Sequence, residues 1–237
     1  ASIASLNGNV QFGGGSNILA GVLPTSAAET LKYAPGNLNL TAFNGDVALA
    51  DIVMMPLPTG DLKVLAANNV KLSNLTMSDA DVALLPNVNN PLSGSFVRAN
   101  GLLATSILGH DTKLLHRNNP EPNMIVARNG DIDTLDNSLP AVLVLPKLTM
   151  LVAGGDIKNV NLVLQNNNVD DVSFIKAGQD ITTGNITVAG PGELLLQASR
   201  NIDLSITKSD ISSTGNSGSS IAFFQGKATP NPALPVA

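Results

Sequence analysis

Apolar and polar residues alternate over short stretches of this chain, and the stretches come back at nearly constant spacing. In "VNLVL" (160–164), Val160, Leu162 and Leu164 alternate with Asn161 and Val163, the period-two signature of a β-strand. A second pattern runs through the whole chain: a small residue, a turn, Asp or Asn, then Ile or Val. It reads "AANNV" (66–70), "AGGDI" (153–157), "AGQDI" (177–181) and "ASRNI" (198–202), with a looser form in "LNGNV" (6–10), "FNGDV" (43–47) and "RNGDI" (128–132). Aligned on Val10, Val47, Val70, Ile132, Ile157, Ile181 and Ile202, the copies are spaced by 37, 23, 62, 25, 24 and 21 residues. The recurrent spacing defines a unit of 21–25 residues. The 62 reads as about three such units and the 37 as one unit with an inserted loop.

Other columns accompany the Ile/Val position. Ala66, Ala153, Ala177 and Ala198 stand three residues before the aligned Asp or Asn, and Val64, Val126, Leu151, Ile175 and Leu196 stand five before it. Like residues at a fixed phase, with Asn and Gly at the corners, are what a parallel β-helix requires, because each coil lies on the one below. The leucine-rich-repeat frame is absent. The fold expected is all-β, a right-handed parallel β-helix, or β-solenoid, over residues 1–207. About ten coils stacked at roughly 4.8 Å would form a rod on the order of 50 Å long. Insertions are expected at 24–36, where Ser26 and Glu29 have capping-box spacing for a short helix, and at 91–123, which holds both histidines. Residues 208–237 are Ser-, Gly- and Pro-rich and read as a loop-rich end.

Composition sharpens this picture. Aromatic residues make up only 3% of the chain, so Val, Ile, Leu and Ala must fill the core, and 27 Asn with 21 Gly supply the turns. The net charge of -5 comes with scattered basic residues, which argues against nucleic acid as a partner. With no cysteine, disulfides, thiolate metal sites and cysteine nucleophiles are excluded. The apolar stretch 139–155 is interrupted by Pro140, Pro146 and Lys147 and reads as buried strands, so membrane insertion is not expected. The chain has neither an initiating Met nor a visible signal peptide, as expected of a mature fragment or an excised piece of something longer.

The run "LVAGGDIKNVNLVLQN … FIKAGQDITTGNITVAGPGELLLQASRNIDL" (151–204) resembles the long exoproteins of the filamentous haemagglutinin family, whose repeats are written around A-G-x-D-I and followed by GPG-x-L and A-x-R-N-I-D-L. The resemblance covers 148–204, and the family's N-P-N-G-type secretion signature is missing. It implies a shaft or carboxy-terminal segment of a two-partner-secreted adhesin, secreted or held at the Gram-negative cell surface and serving adhesion or biofilm cohesion. It implies an outer-membrane transporter as partner during export and host-cell or matrix glycans or proteins as contacts. It carries over no catalytic residue and no cofactor.

Candidate chemistry is sparse. Asp131, Asp156 and Asp180 share one repeat position, which suits either turn carboxylates accepting amide hydrogen bonds or a weak Ca²⁺ site; Asn69 and Asn201 at the same position favour the former. Parallel β-helices also include polysaccharide lyases and hydrolases, which need convergent carboxylates. Asp170 and Asp171 are adjacent, and neighbouring strand residues point to opposite faces. His110 and His116 are six apart, lack metal-pair spacing and read as surface-loop residues. The unpaired strand edges expected at the two ends make end-to-end self-association, or a structural filament, a further expectation.

Overall fold

The computed structural model describes residues 1–13, 33–82, 88–89, 114–135, 140–205 and 209–215. It is an all-β solenoid of three parallel sheets with strands stacked in coil order. The first sheet has seven strands: Ser2–Ser5, Asn37–Ala42, Asp61–Ala66, Asn123–Ala127, Thr149–Ala153, Val172–Ala177 and Glu193–Ala198. The second has six, Val10–Phe12, Val47–Leu49, Val70–Leu72, Ile132–Thr134, Ile157–Lys158 and Ile181–Thr182, extended by an Ile181–Ile202 bridge. The third has seven: Tyr33–Ala34, Ile52–Met54, Leu75–Met77, Ala141–Leu145, Val160–Gln165, Ile186–Ala189 and Ile211–Gly215. The chain visits the sheets in the order first, second, third and turns three corners per coil.

Pairing fixes the register. Val10, Val47, Val70, Ile132, Ile157, Ile181 and Ile202 are successive partners in one column. In the first sheet Ala42, Ala66, Ala127, Ala153, Ala177 and Ala198 form a second column. Leu40, Val64, Ile125, Leu151, Ile175 and Leu196 form a third. From Leu40 to Ile175 that third column has no solvent exposure. Parallel pairing with identical side chains in step lets branched residues pack on their own kind, and this makes the narrow interior continuous.

Several expectations change. The rod has seven coils among the described residues, not ten, because the 62-residue interval is bridged directly: Val70 pairs with Ile132, and Lys63 with Met124. One coil therefore carries a long excursion that leaves at the third corner after Met77 and returns at Asn123, which is itself a strand residue. The 37-residue interval is likewise one coil, since Val10 pairs with Val47. Of the insertion expected at 24–36, residues 24–32 lie outside the described residues, whereas Tyr33 and Ala34 are a strand paired with Val53 and Met54. Most of 91–123 also lies outside them. Ile211–Gly215 continues the third sheet beyond residue 207; 216–237 is outside the described residues.

Val126, which its spacing places in one column with Val64 and Leu151, faces outward; Ile125 holds that column's place in the interior. The corner explains the shift. Between the Ala column and the Ile/Val column the chain spends three residues in 67–69, 154–156, 178–180 and 199–201, but four in 43–46 and 128–131. Counting back from the Asp therefore lands one residue off where the corner is longer.

Candidate functional site

The aligned Asp and Asn residues stand at the first corner and form an unbroken ladder. The backbone N–H of Asp46 donates to Asn9 Oδ1 at 2.9 Å, that of Asn69 to Asp46 Oδ1 at 2.8 Å, and that of Asp131 to Asn69 Oδ1 at 3.0 Å. The N–H of Asp156 donates to Asp131 Oδ1 at 2.9 Å, that of Asp180 to Asp156 Oδ1 at 3.0 Å, and that of Asn201 to Asp180 Oδ1 at 3.0 Å. Each side chain thus accepts from the same position one coil later. At a corner the backbone leaves the sheet and its N–H loses its ladder carbonyl; a short side-chain oxygen restores the acceptor. Asp and Asn serve equally, which is why the sequence alternates between them.

The glycine in the N-G-D and G-G-D turns belongs to the same device. A Cβ on Gly155 would lie 2.1 Å from Asp131 Oδ1, and one on Gly45 would lie 2.5 Å from Asn9 Oδ1. The ladder oxygen occupies the space a side chain would need. A second, interrupted ladder lies at the second corner: Asn74 N–H donates to Asp51 Oδ1 at 2.9 Å, Asn185 N–H to Asn161 Oδ1 at 2.8 Å and Asp210 N–H to Asn185 Oδ1 at 3.1 Å. Val142 occupies the same column and has no oxygen to offer.

Asp131, Asp156 and Asp180 are therefore brought together, but their oxygens are engaged. Besides the ladder bonds, Lys158 Nζ lies 2.7 Å from Asp131 Oδ2 and 3.8 Å from Asp156 Oδ2, while Arg200 lies 2.7 Å from Asp180 Oδ2 and 3.6 Å from Asp156 Oδ1. Burial alone would raise Asp131; the Lys158 hydrogen bond, the Asp156 N–H and the charges of Lys158 and Lys71 outweigh it and hold the carboxyl below its usual range. Lys158 is raised in return, chiefly by its hydrogen bond to Asp131. Asp180 is also held low: its desolvation is outweighed by the Asn201 N–H and the Arg200 charge. The local cations are thus supplied by the protein's own Lys and Arg. No cluster of three or more His, Cys, Asp or Glu suited to a metal occurs among the described residues.

The third corner holds a polar group of a different kind. Lys147 is only 1% exposed; its Nζ donates to Asp61 Oδ1 at 2.6 Å and to the Gly60 carbonyl at 3.1 Å. Asn119, on the returning limb of the excursion, donates to the same two acceptors at 2.9 and 3.1 Å. Burial pushes the Lys147 ammonium down from its ordinary value, and Asp61 opposes that push. Beside this group the interior column of the first sheet turns polar. Asn123 Oδ1 accepts from Leu62 N–H at 3.0 Å, Thr149 N–H donates to Ser173 Oγ at 3.3 Å, and Ser173 Oγ donates to Asn166 Oδ1 at 2.7 Å.

His116, expected on a surface loop, is buried at 2% exposure; His110 lies outside the described residues. Asp170 and Asp171 do not act together: Asp170 is exposed, while Asp171 Oδ2 accepts from the backbone N–H of Asn167 and Asn168 at 2.7 and 2.9 Å and so closes its own turn. Sequence reasoning missed Lys147, Asp61 and Asn119. The available signals were a lysine set directly after Pro146 in an apolar run and the "QNNN" stretch (165–168) ending a strand.

Comparison with known proteins found no matching family model, no matching curated protein and no matching solved structure.

Proposed function

We propose that this chain is a segment of a secreted or cell-surface adhesin of the filamentous haemagglutinin kind, serving as a rigid, non-catalytic shaft. The observation that carries this reading is the first-corner ladder, which links seven coils through six successive side-chain-to-backbone bonds. A stack in which every coil is tied to its neighbours resists bending and local fraying, and these properties suit a spacer that holds contacts away from a surface. The motif resemblance over 148–204 supplies the adhesive and export context. In this reading the partners are host-cell or matrix glycans or proteins and, during export, an outer-membrane transporter.

The test is to incubate the purified chain with neutral and acidic polysaccharides, with and without Ca²⁺, and to follow both retention on immobilised polymer and polymer length. Retention with unchanged length is expected for at least one member of the panel, and the same chain should adhere to cells displaying it. Shortened polymer would replace the shaft reading with a polysaccharide lyase or hydrolase.

A further inference from the structure

His116 stands apart from the ladders and from the shaft reading. Neither of its ring nitrogens has a well-aligned hydrogen-bond partner, although the side chain is buried. A neutral imidazole offers one donor and one acceptor, so closing this site over the ring forfeits bonds that water would provide. The ring packs over Gly60, where an added methyl would come within 3.3 Å of His116 Cε1, and the backbone carbonyls of Ser78 and Pro58 approach it as weak, poorly aligned acceptors. The charged groups facing it are Asp79, which follows the Leu75–Met77 strand, and Lys147, which follows the Ala141–Leu145 strand. Around Lys147 stand Asp61, Glu121 and Lys63.

Among the described residues, the limb that carries His116, residues 114–121, is held by few attachments. They are the Asn119 bonds to Gly60 and Asp61, a 3.4 Å bond from Asn168 Nδ2 to the Arg117 carbonyl, a 3.6 Å Glu121–Lys63 ion pair, and the buried ring itself. Water can replace every polar attachment; the ring is the one that depends on exclusion of water. The strand that follows, Asn123–Ala127, is secured on both sides by Asp61–Ala66 and Thr149–Ala153.

We propose that residues 114–121 form an acid-released clasp, closed over Lys147 and Asp61 while His116 is neutral and opened when the ring takes a second proton, with the stacked sheets left intact. A second proton would set a cation beside Lys147 in a site closed to water. Burial, the largest influence, lowers the ring from its ordinary value of 6.5 and Lys147 adds to it, outweighing Asp79 and the backbone of Ser78 and Pro58, which oppose it. The closed form therefore binds the proton more weakly than the open form. Closure is complete above the ordinary value and weakens by up to about tenfold per pH unit as pH falls from that value toward the depressed one.

The test uses hydrogen exchange on the full chain at about pH 7.5 and about pH 5.5, corrected for intrinsic rates. It reads the amides of Asn119 and Glu121, which are bonded to the His116 carbonyl and to Asn119 Oδ1. Protection there should fall at least about fivefold at the lower pH, while 123–127 and 149–153 stay protected. His116→Phe should hold the limb closed at both values. Equal protection at both pH values in the parent chain overturns the clasp, as does loss extending through 149–153 or a His116→Phe chain that opens like the parent. If His116→Phe does not fold, proton NMR of the parent decides: His116 titrating at the ordinary value of an exposed histidine overturns the proposal, and titration below it together with limb opening sustains it.

Discussion

Asp156 sits in the middle of the first-corner ladder, and two substitutions there separate its acceptor role from its charge. Asp156→Ala removes Oδ1 and leaves the part-buried N–H of Asp180 without the acceptor it holds at 3.0 Å, a loss of about 1–2 kcal/mol for a group that water reaches in part. It also removes the contacts to Lys158 at 3.8 Å and Arg200 at 3.6 Å. Those are partly exposed pairs whose cations keep Asp131 and Asp180, so they add only about 0–0.5 kcal/mol. Asp156→Asn loses the second contribution and keeps the first. Equilibrium urea denaturation followed by far-UV circular dichroism should therefore place Asp156→Asn within about 0.5 kcal/mol of the parent and Asp156→Ala about 1–2.5 kcal/mol below it. Equal slopes across the three proteins would establish that one transition is being compared. Ca²⁺ should leave all three midpoints unmoved, since a cation bound only by the folded chain would raise them. An Asn variant as damaged as the Ala variant, or an Ala variant indistinguishable from the parent, would refute the ladder account.

Ile157 and Ile181 are fully buried in the central column, so Asp at either position should abolish cooperative folding by burying an unpaired charge, a loss exceeding about 4 kcal/mol; thermal melts of both variants check this. Gly155→Ala should lower stability by about 1–3 kcal/mol, because its methyl would displace the Asp131 oxygen from the Asp156 N–H, and the urea midpoint measures it. The carboxyl of Asp131 is held low in the folded chain, so its contribution is present above about pH 3.9 and is lost as pH falls through the depressed value. Asp131→Asn should flatten that acid limb in a series of urea midpoints taken from about pH 5 downward.

The ladder positions were legible before any coordinates because parallel stacking repeats one local requirement at every coil. Asn9, Asp46, Asn69, Asp131, Asp156 and Asp180 each supply an acceptor oxygen on a short side chain to the next rung, which ends at Asn201, and the residue after each is branched and apolar. What those carboxylates do was open to two readings, since a column of Asp suits turn amides and a cation alike. Only the tertiary structure shows that Lys158 and Arg200 stand against them. Val126 was misplaced for a simpler reason: the corner before it in phase has three residues and its own has four, and residue counting cannot see which residue of a longer turn bulges outward.

By itself the sequence determined the solenoid class, the columns of Val, Ile and Ala, and the placing of Asp and Asn at the corners, because these depend on contacts between equivalent positions one coil apart. The tertiary structure alone decided that Val70 meets Ile132 across 62 residues, and that Lys147 reaches Asp61 across 86. It also closed His116 in a site that gives its ring nitrogens no well-aligned hydrogen bond. Such pairings join positions that are not equivalent in the repeat. They arise where a long excursion returns to the stack, and their energies come from burial and charge at one place in space, which no periodicity along the chain encodes.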